Sequence, residues 1–512
     1  MGSLVQSLLS VDGYRILYLA AVFCLSLVLL KGIQLFQKRN NLMTALKPFP
    51  GPPGHWLFGQ ADVLNEDGKS LDKLLGWATQ FPYANPIWFG PFDAYLNITH
   101  PEYAKTILSR PDRKGYIQYE YLIPWIGRGL LLLTGQKWFQ HRRLLTHGFH
   151  YDVLKPYVKI MSDCTKVMLD KLQKHGSTGQ SIDIDPFVRK MTLDTIMKCA
   201  FSCHTNCQTD RKNQYTKAAY DLAYQVMNRL RFLPFHSDLI FYLSPQGRQF
   251  RRLCKISHEH TDNVIKQRRE SLKRNEELEK IQKRRHLDLL DILLFAQDEN
   301  GQGLSDDDIR AEVETFIFEA HDTVASGISW ILYCMAKHPE YQQRCREEIR
   351  EVLGNRDTLE WDDLSKLLYT TMCIKESLRL NTPVPVISRQ INEPITFSDG
   401  RSLPEGSLVS VSIDSIHRNP SVWNDPEVFD PSRFSQEDPA QRHSHAFIPF
   451  SGGPRGCIGQ NLAINELKVA VALTLNAFEL SVDPSRTPIK IVMLVQRSKN
   501  GIYLYLKNSR KE

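Results

Sequence analysis

A single cysteine in a glycine-rich loop near the C-terminus carries the strongest chemical signal in the chain. The loop reads Phe450-Ser-Gly-Gly-Pro-Arg-Gly-Cys457-Ile-Gly and leads into an apolar stretch of helical character over residues 462–478. Cysteine sulfur binds metals as the thiolate, so its surroundings must favour negative charge. Free backbone N–H groups at the start of a helix provide such surroundings. Cys457 is therefore predicted to be a metal ligand held at a helix N-terminus.

The rest of this loop suits a flat macrocycle lying against the sulfur. Its glycines remove side chains where the backbone must bend, Arg455 supplies a cation suited to a porphyrin propionate, and Phe450 is placed to cover the sulfur. A buried structural cysteine is the alternative for a lone Cys, but the pattern Phe-x-x-Gly-x-Arg-x-Cys-x-Gly is the signature of the cytochrome P450 superfamily, which the chain resembles. The resemblance implies haem b with Cys457 as axial iron ligand, in a single large, mainly α-helical domain with small β-sheets.

A long apolar helix is predicted in the second half of the chain. Ser305 followed by three aspartates is an N-cap signature, and an apolar helical period then covers residues 309–337. Within it lies Phe-Glu319-Ala-His-Asp322-Thr323, whose polar groups are costly inside an apolar helix unless they are used or paired. In the superfamily, an acid followed by a threonine delivers protons to oxygen on the distal face of the haem. Asp322 and Thr323 match that pair, so the resemblance implies that both are catalytic.

Glu319 narrows the resemblance to one group of the superfamily. The fatty-acid ω-hydroxylases of family 4 have Phe-Glu-Gly-His-Asp-Thr-Thr at this place, with the glutamate esterified to a haem methyl. This chain departs at two positions, with Ala320 in place of glycine and Val324 in place of the second threonine. The resemblance implies a haem ester through Glu319, whose yield the extra methyl of Ala320 would affect. Without the ester, Glu319 is a buried carboxyl that we expect to be protonated.

A buried charge network is predicted from two separate segments. Glu376 and Arg379 lie three residues apart on one helical face, an arrangement that is also common on solvated helices. Together with Arg433 in Pro-Ser-Arg-Phe, however, the pair matches the Glu-Arg-Arg network that fixes the cysteine loop in the superfamily. The resemblance therefore implies that these three residues are structural.

Further residues are predicted to bind the haem propionates. Trp138 and Arg142 are four residues apart and share one face of a predicted helix, which suits one propionate. Arg389, which follows Pro-Val-Pro, resembles another propionate ligand. The apolar and aromatic segment 117–133 is predicted to line the substrate pocket.

An apolar run near the N-terminus indicates a membrane anchor. Residues 16–36 contain one charge, Lys31, and at ~1.5 Å per residue they can cross the ~30 Å hydrocarbon core. Three basic residues, Lys38, Arg39 and Lys47, follow this run, which favours an uncleaved signal anchor with the following chain in the cytosol. We therefore expect a lumenal segment 1–15, a transmembrane helix 16–36, a basic and Pro-rich hinge 37–54, and a catalytic haem domain 55–512 on the cytosolic face of the endoplasmic reticulum.

Composition excludes several classes of protein. The 512 residues include 64 Lys and Arg against 57 Asp and Glu, a net charge of +7. This balance fits an anionic membrane surface or an acidic protein partner better than nucleic acid, for which no binding motif is present. The ten cysteines are scattered and favour reduced thiols over a disulfide framework. The glycosylation sequon Asn97-Ile-Thr is predicted to stay bare, because the expected topology keeps it out of the lumen.

The resemblance implies a monooxygenase reaction. An axial thiolate favours O–O cleavage, so a substrate C–H bond is hydroxylated at the expense of O₂ and two electrons. The sequence contains no dinucleotide-binding fingerprint with the required context and no flavin domain. Electrons are therefore expected from an NADPH-dependent flavoprotein reductase, with cytochrome b5 as a second candidate donor. A basic surface at Lys137, Arg142 and Arg143 is the candidate docking face.

The family 4 resemblance favours membrane-derived fatty acids as substrates, hydroxylated at the terminal carbon. Eicosanoids and small xenobiotics are alternative substrates for the same chemistry. A haem-thiolate isomerase or synthase that needs no reductase is a further alternative, although such enzymes often lack the acid and alcohol that Asp322 and Thr323 provide. A non-catalytic haem sensor would need a signalling domain, and none is visible in the sequence.

Overall fold

Helices dominate the fold, as the sequence predicts. The computed structural model describes residues 2–65, 68–176, 179–203, 207–209, 214–273, 287–297, 301–435 and 442–509. In chain order its α-helices are Gly2–Leu46, Ser70–Gln80, Pro101–Leu108, Tyr116–Glu120, Ile123–Ile126, Gly135–Thr146, Tyr151–Leu154, Tyr157–Gly176, Asp185–Ala200, Tyr215–Arg231, Asp238–Leu243, Pro245–Leu272, Leu289–Phe295, Asp306–Lys337, Pro339–Leu353, Leu368–Leu380, Ile413–His417 and Gln460–Ala477. Short 3-10 turns occur at Ala61–Leu64, His147–Phe149, Leu233–His236, Trp361–Asp363 and Pro431–Phe434.

The strands form small sheets, the largest with five members. They are β1 (Ala84–Trp88), β2 (Ala94–Ile98), β3 (Arg113–Lys114), β4 (Ile182–Asp183), β5 (Val386–Gln390), β6 (Ile395–Thr396), β7 (Ser402–Leu403), β8 (Leu408–Ser412), β9 (Phe478–Val482), β10 (Lys490–Ile491), β11 (Arg497–Ser498) and β12 (Tyr503–Asn508). The largest sheet has the order β1-β2-β8-β5-β3, with β2 and β8 parallel and the other pairs antiparallel. The remaining strands pair as β4-β12-β9, β10-β11 and β6-β7. The sequence indicates two short strand-like segments, 86–90 and 95–99, and these correspond to β1 and β2 within two residues at each end.

The glycosylation sequon lies in the middle of this largest sheet. Asn97 is 1% exposed, its amide faces Asn85, and its side-chain oxygen accepts from the Ser410 hydroxyl at 3.1 Å. A folded chain cannot present this side chain to a glycosyltransferase on either side of a membrane. Absence of a glycan at Asn97 would therefore not test the membrane orientation, contrary to the argument from sequence.

The predicted central helix is present as Asp306–Lys337. The Ser305 hydroxyl accepts a hydrogen bond from the backbone N–H of Asp308 at 3.1 Å, the geometry of an N-cap. Nearly every side chain of the helix is buried, because it packs against Asp185–Ala200, Gln460–Ala477 and Pro245–Leu272. The helix therefore passes through the main hydrophobic core, and its polar residues lie in that core.

The N-terminal helix is longer than the predicted membrane span. It continues from Gly2 to Leu46, and its part Arg15–Leu46 is long and apolar enough to cross a membrane. The predicted hinge 37–54 therefore starts only after residue 46. The reason lies in the backbone, because no proline occurs before Pro48 and a residue that precedes proline is disfavoured in the α conformation.

The end of this helix contacts the largest sheet. Lys38 Nζ lies 2.7 Å from Asp93 Oδ1, and Arg39 Nη1 donates to the Pro91 carbonyl at 3.3 Å. Both partners lie in the turn between β1 and β2. Basic residues after the apolar run therefore fix the helix against the globular part of the chain.

Candidate active site

A large internal cavity lies between the central helix and the cysteine loop. The central helix contributes Glu319, Ala320 and Thr323 to its wall, and the loop contributes Arg455 and Cys457. Most of the remaining wall is apolar. The segment that we predicted as pocket lining, 117–133, supplies Gln118, Tyr119, Leu122, Leu130 and Leu131. Residues more than 130 positions apart in the sequence therefore face one another across one cavity.

The backbone of the cysteine loop directs the sulfur into this cavity. The Cys457 N–H donates to the Phe450 carbonyl at 2.9 Å, and the Gly459 N–H donates to the sulfur. Gly453 has φ of +66°, and a Cβ there would lie 1.8 Å from the Leu108 carbonyl oxygen, so only glycine fits. The following helix begins at Gln460, where the sequence analysis expected a helix N-terminus.

The Cys457 thiol is reached only from within the cavity, and its acidity reflects that position. Burial raises its pKa to about 11, the Glu319 carboxylate raises it further, and the Gly459 N–H and Arg142 oppose this increase. A cysteine must lose its proton to ligate a metal, and a metal cation supplies the missing positive charge. The site therefore suits a thiolate whose charge is balanced by iron.

Cations and an indole surround the cavity near the sulfur. Arg455 donates to the Leu133 carbonyl at 2.9 Å, and its guanidinium lies 4.5 Å from the centroid of Trp138. Arg142 donates to the Gly456 carbonyl at 2.9 Å. The structure thus places three predicted propionate ligands, Trp138, Arg142 and Arg455, together on this side of the wall.

Arg389 and Lys114 form a second group of cations, on adjacent strands. Arg389 of β5 pairs in register with Lys114 of β3, and it is fully buried. Its Nε and Nη2 have no hydrogen-bond partner among the described residues, a costly state for a buried guanidinium. An anionic group such as a haem propionate satisfies these donors, so the residues present fit haem.

Lys114 was missed by the sequence analysis, because Arg-Lys-Gly has no motif that marks it. Its side chain lines the cavity, and its pKa is well below the usual value, through burial first and then through repulsion from Arg389 and Arg455. The opposing attraction comes from Glu319 and Cys457. Lys114 is therefore a further cation available to an anionic edge of haem.

Glu376 and Arg379 form a completely buried ion pair. Arg379 donates through Nε and Nη2 to the two carboxylate oxygens, both at 2.7 Å. Its other N–H groups donate to the carbonyls of His417, Pro426 and Val428. Every N–H of this guanidinium therefore has an acceptor.

Arg433, the third residue of the predicted network, lies beside this pair. Its Nε is 3.5 Å from Glu376 Oε1, which also accepts from the backbone N–H of Asp430 at 2.9 Å. The structure thus brings Glu376, Arg379 and Arg433 together, although Arg433 makes the longest contact of the three.

Thr323 and Glu319 face the cavity from successive turns of the central helix. The Thr323 hydroxyl donates to the Glu319 carbonyl at 2.7 Å, the local bond expected from the sequence, and the helix stays continuous there. Burial raises the pKa of the Glu319 carboxyl to about 7, with Lys114 opposing the shift. Its carboxyl is therefore substantially protonated near neutral pH.

Asp322 lies on a different face of the same helix from Thr323. Its carboxylate accepts from Arg497 Nη2 at 2.7 and 2.5 Å and from Arg189 Nη1. Despite burial, these arginines hold its pKa far below the usual value. Among the described residues that line the cavity, Thr323 is present and Asp322 is absent. The Asp322 carboxylate is thus bound by arginines outside the cavity wall, and neither arginine was predicted from the sequence.

The cavity, its thiol and its cations define a haem-thiolate protein. The chain matches the cytochrome P450 family model over residues 49–505 and belongs to that family. It is therefore a haem-dependent monooxygenase with an N-terminal apolar helix that is a candidate membrane span.

Comparison with individual proteins agrees with the resemblance to family 4. The chain is 54% identical to cytochrome P450 4B1 of Rattus norvegicus over 504 residues, which are 98% of both chains. It is 53% identical to cytochrome P450 4B1 of Homo sapiens over 504 residues, again 98% of both. With cytochrome P450 4A11 of Homo sapiens it shares 52% identity over 497 residues, 97% of this chain and 95% of the relative.

Proposed function

We propose that this chain hydroxylates fatty acids, with preference for the terminal carbon. The observation that supports this function is an apolar cavity whose wall places Thr323 and Glu319 opposite Cys457. Haem with a thiolate ligand supplies activation of O₂ and insertion of one oxygen atom into a C–H bond. The other requirements, which are orientation of the substrate, exclusion of water and supply of protons, fall to the side chains of this wall.

The haem is held in this proposal by residues from five regions of the chain. Cys457 is the axial ligand, and the carbonyl of Phe450 fixes its backbone. The propionates are bound by cations and an indole, namely Lys114, Trp138, Arg142, Arg389 and Arg455. Glu319 would be joined to a haem methyl as an ester, which replaces one methyl C–H bond and the carboxyl O–H bond by a C–O bond. The two electrons and two protons released would be taken up by O₂, which two further electrons from the reductase and two further protons reduce completely to water. The carboxyl of Glu319 is available in the neutral form that burial favours.

Thr323 and Asp322 move protons in this proposal. The Thr323 hydroxyl, like the Glu319 carboxyl, is a polar group of the central helix at the cavity wall, and it keeps a proton at Oγ1 beside the reaction centre. Asp322, the next residue toward the N-terminus, replaces that proton. To do so its carboxylate must leave Arg497 and Arg189 and turn toward the cavity.

Selectivity for the terminal carbon needs geometry, because a terminal methyl C–H is stronger than the adjacent methylene C–H. A pocket that distinguishes one methylene supplies only ~1–3 kcal/mol. Phe316, Phe318 and Glu319 from one helix stretch line the cavity and restrict its width. A haem fixed through Glu319 would keep that restriction constant, so that only the end of a linear chain reaches the reaction centre.

Electrons come from an NADPH-dependent flavoprotein reductase in this proposal, with cytochrome b5 as a second candidate donor. Of the basic residues suggested for docking, Lys137 forms an ion pair with Asp308 at 2.6 Å, and Arg142 binds the Gly456 carbonyl. Arg143 is exposed on the same helix. Arg143 is therefore the member of this group that we assign to the acidic partner.

A membrane location suits a lipid substrate. Besides the N-terminal helix, two segments of the globular part expose large apolar side chains, namely Trp56, Phe58, Phe232, Leu239, Ile240 and Leu243. The two segments approach each other at Gly90, whose N–H donates to the Phe58 carbonyl and where an added Cβ would lie 3.5 Å from Leu233. The cavity residues Phe89 and Leu230 are chain neighbours of this region. We assign the chain to the endoplasmic reticulum membrane, as a single-pass protein with the catalytic domain in the cytosol.

The proposed function is tested with the full chain, reductase, NADPH and a graded series of saturated fatty acids. We expect hydroxylated products whose hydroxyl lies mainly at the terminal carbon, identified by mass spectrometry. Products from eicosanoids or small xenobiotics but not from fatty acids would contradict the substrate class. Conversion of a fatty-acid hydroperoxide without NADPH, with no hydroxylation in its presence, would instead indicate an isomerase.

A further inference from the structure

Four alternating charges form a chain through the protein interior. Arg189 binds Asp185 through Nε at 2.5 Å and Nη2 at 3.0 Å, and it also binds Asp322. Asp322 in turn binds Arg497 of β11. All but Asp185 are nine-tenths buried or more. The chain of charges links helix Asp185–Ala200, the central helix and the C-terminal strands.

Arg497 is the least satisfied member of this chain. Only its Nη2 donates to Asp322, while its Nε and Nη1 are buried without a hydrogen-bond partner among the described residues. Its guanidinium lies 4.4 Å from the ring centroid of Tyr220, which gives it a cation–π contact. Because two of its donor groups are unused, displacement of this guanidinium breaks fewer hydrogen bonds than displacement of a fully bonded arginine would.

The backbone that carries Arg497 is also part of the cavity wall. Residues 492–495 line the cavity, and Arg497 follows after one intervening residue. Gln496 fixes this connection, because its N–H donates to the Pro383 carbonyl and its carbonyl accepts from the Ser326 hydroxyl, both at 2.7 Å. A molecule that presses on residues 492–495 therefore acts on Arg497 through a short, hydrogen-bonded segment.

A second connection runs through Tyr220. It lies on helix Tyr215–Arg231, whose Met227 and Leu230 also line the cavity. The aromatic contact of Arg497 thus comes from a second element of the wall. Occupation of the cavity acts on Arg497 from its own strand and from its stacking partner.

We propose that Arg497 is a positioning residue that couples substrate binding to the release of Asp322 for proton delivery. Without substrate, Arg497 and Arg189 hold the carboxylate on the side of the helix away from the cavity. Substrate against residues 492–495 displaces Arg497, and the carboxylate turns toward the side of Thr323. Proton supply then occurs only when a C–H bond is in place. This inference rests on the proposed role of Asp322 in proton delivery.

The coupling is tested by replacing Arg497 and measuring NADPH oxidation with reductase, with and without dodecanoate. We expect Arg497→Gln to raise the rate without dodecanoate several-fold and to reduce the stimulation by dodecanoate, with the extra electrons appearing as hydrogen peroxide. Arg497→Lys, which keeps the charge, should restore much of the stimulation. A purely structural ion pair would lower the haem content of both variants and leave the stimulation ratio unchanged, which would overturn the proposal.

A matched control is available in the same part of the chain. Arg486 lies 4.3 Å from the ring centroid of Tyr503, a stacking distance close to that of Arg497, but it is half exposed and its ion pair is with Asp483. Arg486→Gln should oxidise NADPH as the unsubstituted protein does. An equal rise in both variants would show a general loosening of the C-terminal strands and would contradict the role of Arg497.

A measurement on the unsubstituted protein covers the case in which the Arg497 variants fail to fold. Dodecanoate should change backbone hydrogen exchange at residues 492–498 and at residues 320–326 together, and Ser326→Ala should weaken the change at the second segment. Unchanged exchange at both segments would overturn the coupling. The Asp322→Asn variant separates the two proposals. Full hydroxylation by this variant would refute proton delivery through Asp322. Impaired hydroxylation by Asp322→Asn, together with an Arg497→Gln variant that behaves as the unsubstituted protein does, would refute the coupling alone.

Discussion

Two buried carboxylates, each beside two arginines, lie on different helices of the core, Glu376 on Leu368–Leu380 and Asp322 on Asp306–Lys337. Glu376 is bound by Arg379, whose N–H groups all have acceptors, three of them backbone carbonyls. Asp322 is bound by Arg497, which leaves Nε and Nη1 without a partner among the described residues. The two acids are equally buried, at 0% and 1% exposure. The difference therefore lies in how completely the arginine is satisfied.

From this difference we expect the Glu376–Arg379 pair to keep one arrangement and the Asp322–Arg497 pair to rearrange more readily. Arg379 connects Glu376 to two backbone segments, at His417 and at residues 426–428, so movement of either side chain breaks several hydrogen bonds at once. Arg497 connects Asp322 to a single segment that is itself part of the cavity wall. A fully bonded buried network resists rearrangement, while an incompletely bonded one has alternatives of similar energy. We expect Glu376 to hold the cysteine loop and Asp322 to take part in turnover.

The largest expected effect follows from breaking the Glu376 network. Glu376→Ala leaves Arg379 buried and unpaired, and loss of one partner from such a pair typically costs ~3–5 kcal/mol. Because Arg379 also holds the carbonyls of His417, Pro426 and Val428, we expect protein without haem, measured as haem per chain and as the reduced carbon monoxide spectrum. Glu479→Ala, which breaks an exposed ion pair with Lys507, serves as the control. A normal spectrum from Glu376→Ala would mean that Glu376 is dispensable for haem binding, as Asp322 is expected to be.

Variants substituted at Asp322 or Thr323 should still bind haem but form less hydroxylated product. Asp322→Asn and Thr323→Ala remove the proposed proton path, and general acid catalysis contributes ~10²–10⁴-fold in rate. We expect the larger loss for Asp322→Asn and, for Thr323→Ala, continued NADPH oxidation that yields hydrogen peroxide. The readouts are haem content, product and peroxide in the same sample. Haem loss equal to that of Glu376→Ala would abolish the distinction between the two networks.

At low pH, the protein should lose stability near the Glu376 network through protonation of His417. The Ile448 N–H donates to His417 Nε2 at 2.9 Å, and burial, followed by repulsion from Arg379, lowers the pKa of this imidazole to about 3. The unfolded chain binds a proton near pH ~6.5 and the folded chain does not, so stability is complete above that pH and falls as the pH decreases.

The expected loss is ~1.4 kcal/mol for each pH unit below about 6, until the folded imidazole itself titrates. It is measured as the free energy of unfolding of the holoprotein, or as the rate of haem release, between pH ~6.5 and pH ~4. His417→Gln keeps an acceptor for Ile448 and cannot titrate, so its pH dependence should be shallower. If stability fell equally steeply with decreasing pH in the two proteins, His417 would not be the group that makes the protein sensitive to acid.

The sequence predicted the residues of these two regions unequally. Cys457, Glu376 and Arg379 lie in motifs whose spacing is local, so they and the flanking helices were found within a few residues. Arg189 and Arg497 were missed because each reaches Asp322 from a distant segment, and a single arginine in an apolar stretch has no periodicity. Lys114 was missed for the same reason. Pairings between distant segments are set by tertiary packing, which no local pattern reports.

Prediction of the elements themselves followed the same rule. The central helix, with its N-cap and apolar period, was found almost to the residue, whereas the N-terminal helix continued ten residues past the predicted membrane span. The end of an apolar run marks the end of a possible membrane span but not the end of a helix. The first residue after this run that cannot continue a helix is Pro48. Asn97 is a further case in which a local pattern does not report tertiary structure. The sequon indicates a glycosylation site, but the side chain is buried in a sheet.

The smallest expected effect concerns Glu319. Substitution of this residue tests whether the central helix, which carries Asp322, also helps to hold the haem. Glu319→Ala should bind haem through Cys457 with a normal spectrum, yet release all of it on extraction with acidified solvent. With the haem no longer fixed, the ratio of terminal to in-chain hydroxylation should fall by up to ~10-fold, within the ~1–3 kcal/mol that separates one methylene from the next. Ala320→Gly, which supplies the residue found in family 4, is the matched control and should increase the fraction of covalent haem. If haem were fully extractable from all three proteins while the product ratio stayed constant, the fixed haem would be excluded and selectivity would reside in the apolar wall around Phe316 and Phe318 alone.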